Sequence, residues 1–225
     1  MSKKIALPLA LSSALLSSGL FAATTENQPE KQGYFNPQDS GVVLSISGGI
    51  IQSQASIDGT NAITGNNFSK TLPTQSGGTG DIDLGYRFAF GQKDKWNQFY
   101  FGGAATFSIL GNMMTNAIGF SEDKVTTDQG SVLQYGLKIF IGKYWKSPFY
   151  TSLSIGSGGS SSAGFFMEGS VRAGYDITEN LSIYGQIKSG GQFDFASSVA
   201  SIVVLSPSSS GERYTSEQIG LQYKF

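Results

Sequence analysis

The last seven residues of the chain alternate between apolar and polar side chains up to the final position. Ile219, Leu221, Tyr223 and Phe225 share one parity, and the residues between them are glycine, glutamine and lysine. A period of two is typical of a β-strand with one apolar and one polar face. Because chain ends usually fray, we expect a strand that keeps this pattern to be paired along its whole length. Such pairing is obligatory in a closed barrel surrounded by lipid.

The beginning of the chain has the pattern of a secretory signal peptide. Lys3 and Lys4 precede an apolar stretch that ends near Leu20, and Ala22 completes a suitable cleavage site. The stretch is too short and too rich in serine for a transmembrane helix. We therefore expect residues 1–22 to be removed on export.

Residues 23–40 are polar and contain two prolines, which predicts a flexible periplasmic segment. The remaining residues, 41–225, contain 28 glycines out of the 30 in the chain, and the chain has no cysteine. Disulfides, lipid-modified cysteine and cysteine-based metal or redox sites are therefore excluded. The formal net charge is −1, so neither sign predicts a nucleic-acid partner.

Alternating segments follow one another through residues 41–225 and predict eight strands. Their approximate bounds are 41–52, 80–90, 98–110, 131–142, 148–156, 165–177, 181–190 and 213–225. A secreted β-sandwich is the alternative, because it also has short alternating strands. The second parity, however, is rich in glycine, serine, glutamine and charge, which cannot form a dry core. The pattern favours an all-β fold, an eight-stranded antiparallel up-and-down transmembrane β-barrel.

The connections between these segments alternate in length. Short turns are predicted at 91–97, 143–147 and 178–180, and long polar loops at 53–79, 111–130 and 191–212, with a smaller loop at 157–164. Short turns on one side and long loops on the other are typical of bacterial barrels, with the short side periplasmic. An aromatic girdle is expected at the short-turn end. Its predicted members are Trp96, Tyr144, Trp145, Phe149 and Phe225.

The inward parity of the predicted strands carries both signs of charge. The residues concerned are Asp81, Asp83, Arg87, Lys138, Glu168, Arg172 and Lys188. An eight-stranded barrel is just wide enough to be filled by side chains. These charges are therefore interpreted as a paired polar core that closes the barrel, since buried charges must be paired or hydrated. The alternative is a narrow path for ions or small solutes.

Two charges share the outward parity of Phe225. Glu217 is expected near the outer lipid boundary and Arg213 beyond it. An arginine at this height could bind a phosphate of lipopolysaccharide, or it could simply extend into water.

No catalytic, cofactor or metal site is predicted. Some small barrels are enzymes that use histidine, and this chain has none. Asp81 and Asp83 share one face without an evident substrate groove, and the acidic residues of loop 111–130 are interpreted as a solvated patch. We expect the protein not to be an enzyme.

The alternation and the terminal Phe225 resemble those of the small eight-stranded bacterial outer-membrane barrels, which include the OmpX-like, opacity-type and surface-antigen proteins and the transmembrane domain of OmpA. The resemblance implies recognition of the last strand by the barrel assembly machinery and residence in the outer membrane of a Gram-negative bacterium. It also implies a surface role, in which the long loops contact a host or surface ligand. The apolar stretch 199–205 of the last loop is one candidate contact. No peptidoglycan-binding domain follows the last strand, so the activity of that domain is not expected.

Overall fold

The structure is a computed structural model that describes most of the chain from Phe35 onward. The described residues are 35–61, 67–91, 98–120, 125–146, 148–162, 164–194 and 205–225. The predicted signal peptide, 1–22, lies outside them, as do Trp96 and residues 199–204 of the apolar stretch.

Nine β-strands form one antiparallel sheet. They are β1 (Phe35–Asn61), β2 (Asn67–Thr71), β3 (Gln75–Phe90), β4 (Phe99–Phe120), β5 (Val125–Lys146), β6 (Phe149–Ser160), β7 (Phe165–Asp176), β8 (Leu181–Asp194) and β9 (Leu205–Lys224). From β3 to β9 each strand pairs with the next one in sequence, and β9 pairs with β1, so the sheet closes into a barrel. Within the described residues, no helix is long and apolar enough to cross a bilayer.

The two strands β2 and β3 lie end to end along the same edge of β1. Residues 56–60 of β1 pair with β2, and residues 35–53 pair with β3. The amide of Leu72 donates to the carbonyl of Ala55 at 2.9 Å across the break between them. β2 and β3 together therefore take the place of a single strand in the barrel wall. The predicted eight-stranded up-and-down barrel is confirmed.

One part of the barrel has apolar side chains outside and polar side chains inside. We call this part the membrane zone, and it comprises residues 42–50, 81–90, 99–109, 133–145, 149–155, 167–177, 181–188 and 219–225. On β5, for example, Leu137, Ile139 and Ile141 are 58 to 65% exposed, whereas Lys138 between them is 3% exposed. This arrangement fits a lipid environment, because the closed ladder of strands pairs their backbone groups and the outer surface is apolar. The chain is therefore a transmembrane β-barrel of the outer-membrane type.

Several strands continue well past the membrane zone. A tilted strand needs about 9–11 residues to cross a bilayer, whereas β1 has 27 residues and β4 and β5 have 22 each. We call the continuation the outer zone, and it comprises residues 51–61, 67–80, 110–120, 125–132 and 205–218. The outer zone is formed by only some of the strands, because β6 and β7, with 12 residues each, do not extend into it.

The prediction of long loops at 53–79, 111–130 and 191–212 was therefore wrong in large part. β1 extends to Asn61 and β3 begins at Gln75, and the other two loops are shortened in the same way by the strands that flank them. Along β1, apolar and polar residues continue to alternate past the membrane zone, but there the apolar residue is on the inside: Ile51 is buried and Gln52 is exposed. A search for outward apolar residues misses this reversed pattern.

The boundary of the predicted periplasmic segment 23–40 also changes. β1 begins at Phe35, so residues 35–40 belong to the barrel rather than to a flexible leader. A shift in register between Asn36 and Gly41 lets these residues bend across the end of the barrel. There the hydroxyl of Ser40 donates to the carbonyl of Asn36 at 2.7 Å, and this hydrogen bond helps to fix the conformation of the segment.

Candidate functional site: the barrel lumen

Charged side chains from opposite walls of the barrel meet in the lumen of the membrane zone. Nζ of Lys188 lies 2.9 Å from Oδ1 of Asp81 and 3.3 Å from Oε2 of Glu168. Nζ of Lys138 lies 3.0 Å from Oδ1 of Asp83 and 3.7 Å from Oε1 of Glu168. Glu168 thus joins the two lysines, and the contacts connect β3, β5, β7 and β8 across the interior.

Arg172 extends this series of ion pairs toward the periplasmic side. Its Nη2 lies 3.3 Å from Oδ2 of Asp83 and donates to Oε1 of Gln186 at 2.8 Å. Its Nη1 donates to Oε1 of Gln222 at 3.1 Å, and its guanidinium lies 3.9 Å from the centre of the Tyr184 ring. The guanidinium is therefore surrounded by acceptors and by an aromatic face.

The ion pairs form one alternating chain of three cations and three carboxylates. In order, its members are Arg172, Asp83, Lys138, Glu168, Lys188 and Asp81. We call it the ion chain. Charges removed from water are tolerated only when they are paired and hydrogen-bonded. Because the signs balance, the ion chain satisfies this condition and also links walls that are far apart in sequence.

Arg87 is the one predicted lumen charge outside the ion chain. It is 4% exposed, and its Nη1 donates to the hydroxyl of Tyr144 at 3.3 Å. The centre of its guanidinium lies 5.4 Å from the ring of Tyr100 and 6.0 Å from the ring of Tyr144. Tyr150 packs against the same rings, with 5.4 Å between its ring centre and that of Tyr144. The side chain is thus surrounded by tyrosines.

The position of Tyr144 corrects its predicted place in the aromatic girdle. Tyr144 is 1% exposed and lies in the lumen, because it follows Lys143 and precedes Trp145, which both face outward. Trp145 and Phe149 are exposed, and the indole N–H of Trp145 donates to Oγ1 of Thr151 at 2.7 Å.

A strap of residues 36–40 crosses the periplasmic end of the lumen. The carboxylate of Asp39 accepts hydrogen bonds from Nε2 of Gln98 at 2.6 Å and from Nδ2 of Asn36 at 2.9 Å. Nζ of Lys224 lies 3.7 Å from the same carboxylate. The backbone carbonyl of Asp39 accepts a hydrogen bond from Nε of Arg87 at 3.2 Å. The strap therefore connects the first strand with the last one and with the tyrosine group.

The extracellular end of the lumen is apolar. Ile51, Leu110, Met113 and Val132 form a cluster with Tyr214, and each is at most 2% exposed. The hydroxyl of Tyr214 points down toward the ion chain and lies 3.0 Å from Oε2 of Glu168. The apolar cluster thus covers the charged middle of the lumen.

The space left in the lumen is small. A cavity of about 30 Å³ lies beside Asp83, Arg87 and Arg172. One water molecule needs about 10–15 Å³. The cavity therefore has room for a very small guest.

The terminal residues of β9 face outward, as predicted. The exposed fractions are 70% for Ile219, 51% for Leu221, 41% for Tyr223 and 69% for Phe225. The rings of Tyr223 and Phe225 are 4.9 Å apart, and the amide of Phe225 donates to the carbonyl of Val42 at 2.9 Å. These side chains are therefore accessible from the lipid side while the backbone is paired.

The remaining sequence-based candidates are also located. Arg213 and Glu217 face outward and are exposed, on the strand that closes the barrel. Asp81 and Asp83 face inward and each has a lysine partner. Among the described residues, no group of three or more acidic side chains could hold a metal ion.

Sequence analysis missed two groups that fill the lumen. The tyrosines around Arg87 have a signal in the sequence, because Tyr100, Tyr144 and Tyr150 all lie on inward parities. The apolar extracellular cluster also has a signal, since Ile51 and Val132 interrupt an otherwise polar parity. Neither signal is recognised if every apolar residue of a strand is assumed to face lipid.

No protein-family model matches this sequence, and no curated protein matches it. Solved structures with a similar arrangement include Neisserial surface protein A, with a TM-score of 0.47 and 11% identity over 81% of this chain and 97% of that chain. The outer membrane protein OprG from Pseudomonas aeruginosa has a TM-score of 0.39 and 14% identity, over 82% and 96%. The outer membrane protease OmpT from Escherichia coli has a TM-score of 0.37 and 12% identity, over 85% and 98%.

Proposed function

We propose that this chain is a surface protein of the outer membrane of a Gram-negative bacterium, in which a closed barrel anchors an extracellular contact surface. The outer zone carries this proposal. β1 pairs with β9 as far as Asn61, and β4 pairs with β5 from Phe120 downward, so two tall β-structures stand above the membrane zone. Strand pairing above the membrane zone is not needed to cross the bilayer, and recognition of a partner outside the cell explains it.

The filling of the lumen supports a closed anchor rather than a channel. The ion chain occupies its middle, the strap and the tyrosines occupy its periplasmic end, and the apolar cluster occupies its extracellular end. A conducting path needs a continuous wet bore, and an eight-stranded barrel leaves little room for one. The proposal includes no catalysis, since the chain has no histidine or cysteine.

The route to the membrane is part of the same proposal. Residues 1–22 direct export, and the outward Ile219, Leu221, Tyr223 and Phe225 are recognised by the barrel assembly machinery. Exposed Arg213, above the lipid, binds a phosphate of lipopolysaccharide.

Two shortened variants test the contact surface. Ser56 of β1 lies opposite Thr71 of β2, so residues 57–70 are replaced by Asn-Gly, which closes a two-residue hairpin. Met113 of β4 lies opposite Gly130 of β5, so residues 114–129 are replaced in the same way. The measurement is adherence of expressing cells to an array of fibronectin, laminin and collagen and to an epithelial monolayer, together with agglutination of the cells. We expect at least one shortened variant to lose binding while its barrel still folds.

The matched control changes the opposite end of the barrel. Glu179 lies exposed in the turn at 177–180, and Glu179→Gln is expected to bind like the parent chain. Single-channel recording of the refolded parent chain in a planar bilayer is expected to be silent. Reproducible conductance that changes selectivity in a variant with Arg87, Lys138 and Arg172 replaced by glutamine would instead support a channel. Equal binding of the parent chain and both shortened variants would contradict a contact role for the outer zone.

A further inference from the structure

Arg87 is a buried cation without a carboxylate partner. Of its five N–H groups, one donates to the backbone carbonyl of Asp39 and one to the hydroxyl of Tyr144. Among the described residues, no carboxylate comes within 4.0 Å of its guanidinium. The cost of removing such a group from water is several kcal/mol or more unless a counter-charge compensates it.

Two of the carboxylates near this end of the lumen are paired with other cations. Asp83 pairs with Lys138 and Arg172. Asp39 accepts from two amides and faces Lys224. A third carboxylate, that of Asp176, is also buried; the hydroxyl of Ser182 donates to it at 2.6 Å and leaves its negative charge in place. The two hydrogen-bond partners of Arg87 itself are both neutral groups.

The cavity of about 30 Å³ lies against this charge. Its wall contains Arg87, Lys138 and Arg172 but only one carboxylate, that of Asp83. Ser152, Ser154 and Ser170 also line it, and the hydroxyls of Ser154 and Ser170 are 2.7 Å apart. Guanidinium N–H and hydroxyl groups are donors that suit an anion.

We propose that this cavity binds a small inorganic anion of the halide class, chloride in the cell, against Arg87 and the serine hydroxyls. The volume is at least twice that needed by one water molecule and therefore admits a halide. The anion stabilises the folded barrel because it binds the native state alone.

Bromide replaces chloride as the probe in the first experiment. The full chain is refolded and crystallised in sodium bromide, and anomalous diffraction is measured at the bromine absorption edge. We expect a bromide peak in the cavity, within hydrogen-bond distance of Arg87. An ordered cavity without an anomalous peak would overturn the proposal and assign the space to water.

Stability in solution gives a second readout that needs no crystals. Chloride is raised from about 20 to about 200 mM at constant ionic strength, with gluconate as the balancing anion that is too large for the cavity. For a saturating site, linkage predicts a fall of up to tenfold in the unfolding constant of the parent chain. The same rise in chloride is expected to leave Arg87→Gln unaffected.

Two further variants keep the result interpretable if Arg87→Gln does not fold. Ser170→Ala removes one hydroxyl from the cavity wall and is expected to weaken the chloride effect. Ser189→Ala is the matched control, because Ser189 lies opposite Gly169 on the exposed outer face of the same strand pair. The proposal would be overturned if chloride lowered the unfolding constants of Ser170→Ala and Arg87→Gln as much as that of the parent chain.

Discussion

The membrane zone and the outer zone are built from the same strands, yet where Ile51, Leu110 and Val132 pack inside the outer zone the two faces have the opposite character. On β1, Ile46 faces outward at 53% exposure and Ser47 faces inward at 7%. A few residues further along, Gln52 faces outward and Ile51 faces inward at 1%. The first arrangement suits a barrel in lipid, and the second suits a barrel in water.

The comparison shows that the surroundings decide which parity is apolar, while the backbone pairing is common to both zones. The change occurs at a similar height on neighbouring strands, since Ile109 and Leu133 are outward apolar residues and Leu110 and Val132 are buried. The reversal therefore marks the outer boundary of the lipid. Three pairs of variants can break or sharpen this comparison.

The largest effect is expected from Lys188→Ala in the lumen of the membrane zone. Lys188 is fully buried, and its removal leaves Asp81, 3% exposed, without its ion-pair partner. Breaking a buried pair by removing one partner costs about 3–5 kcal/mol. Urea unfolding of the refolded barrel in lipid vesicles, followed by tryptophan fluorescence, measures this loss.

The matched control removes both charges together. Asp81→Leu combined with Lys188→Met leaves no unpaired charge, and we expect it to be more stable than Lys188→Ala alone. If the double variant is the less stable of the two, the ion chain contributes net stability and does not merely satisfy buried charges.

A lysine placed on the outer surface distinguishes the two zones directly. Ile139→Lys puts a charge at a 65% exposed position in the middle of the membrane zone. A lysine at the bilayer midplane costs about 2–4 kcal/mol. Gln52→Lys in the outer zone changes an exposed polar position, for which about 0.5 kcal/mol or less is expected. Equal costs in vesicle unfolding would mean that the lipid boundary lies elsewhere.

A smaller effect is expected when the interior polarity of the outer zone is changed. Val132→Thr introduces a hydroxyl into the apolar cluster without changing the shape, at a cost of about 1–3 kcal/mol. Ser108→Ala removes a hydroxyl that has no protein partner among the described residues of the membrane zone, so little change is expected. The same unfolding assay compares them, and a larger loss for Ser108→Ala would contradict the reversal.

Sequence alone predicted the membrane zone well, because lipid imposes a simple rule there. The parity of Leu137, Ile139 and Ile141 determines which way Lys138 points, and the inward charges follow from it. Which of these charges meet could not be predicted. The pair between Asp81 and Lys188 depends on the register of four intervening strands and on the curvature of the barrel, and neither has a local signal in the sequence.

The outer zone was predicted poorly for a different physical reason. Here the outer face of the barrel meets water, so glutamine, serine and threonine occupy strands that resemble loops in composition. Tyr144 was misplaced for a related reason: an aromatic residue near a turn suits the girdle in general, whereas its parity on β5 turns it inward.

The apolar belt has a different height on different strands. Outward apolar side chains extend from Val42 to Ile50 on β1, roughly nine residues, and from Leu133 to Trp145 on β5, roughly thirteen residues. At about 3.3 Å per residue and a tilt of about 40°, these segments span roughly 20 Å and roughly 30 Å of hydrocarbon. A bilayer that matches one side of the barrel is mismatched on the other, at a cost that grows with every ångström of mismatch. The lipid beside β1 is therefore expected to be thinner than the lipid beside β5.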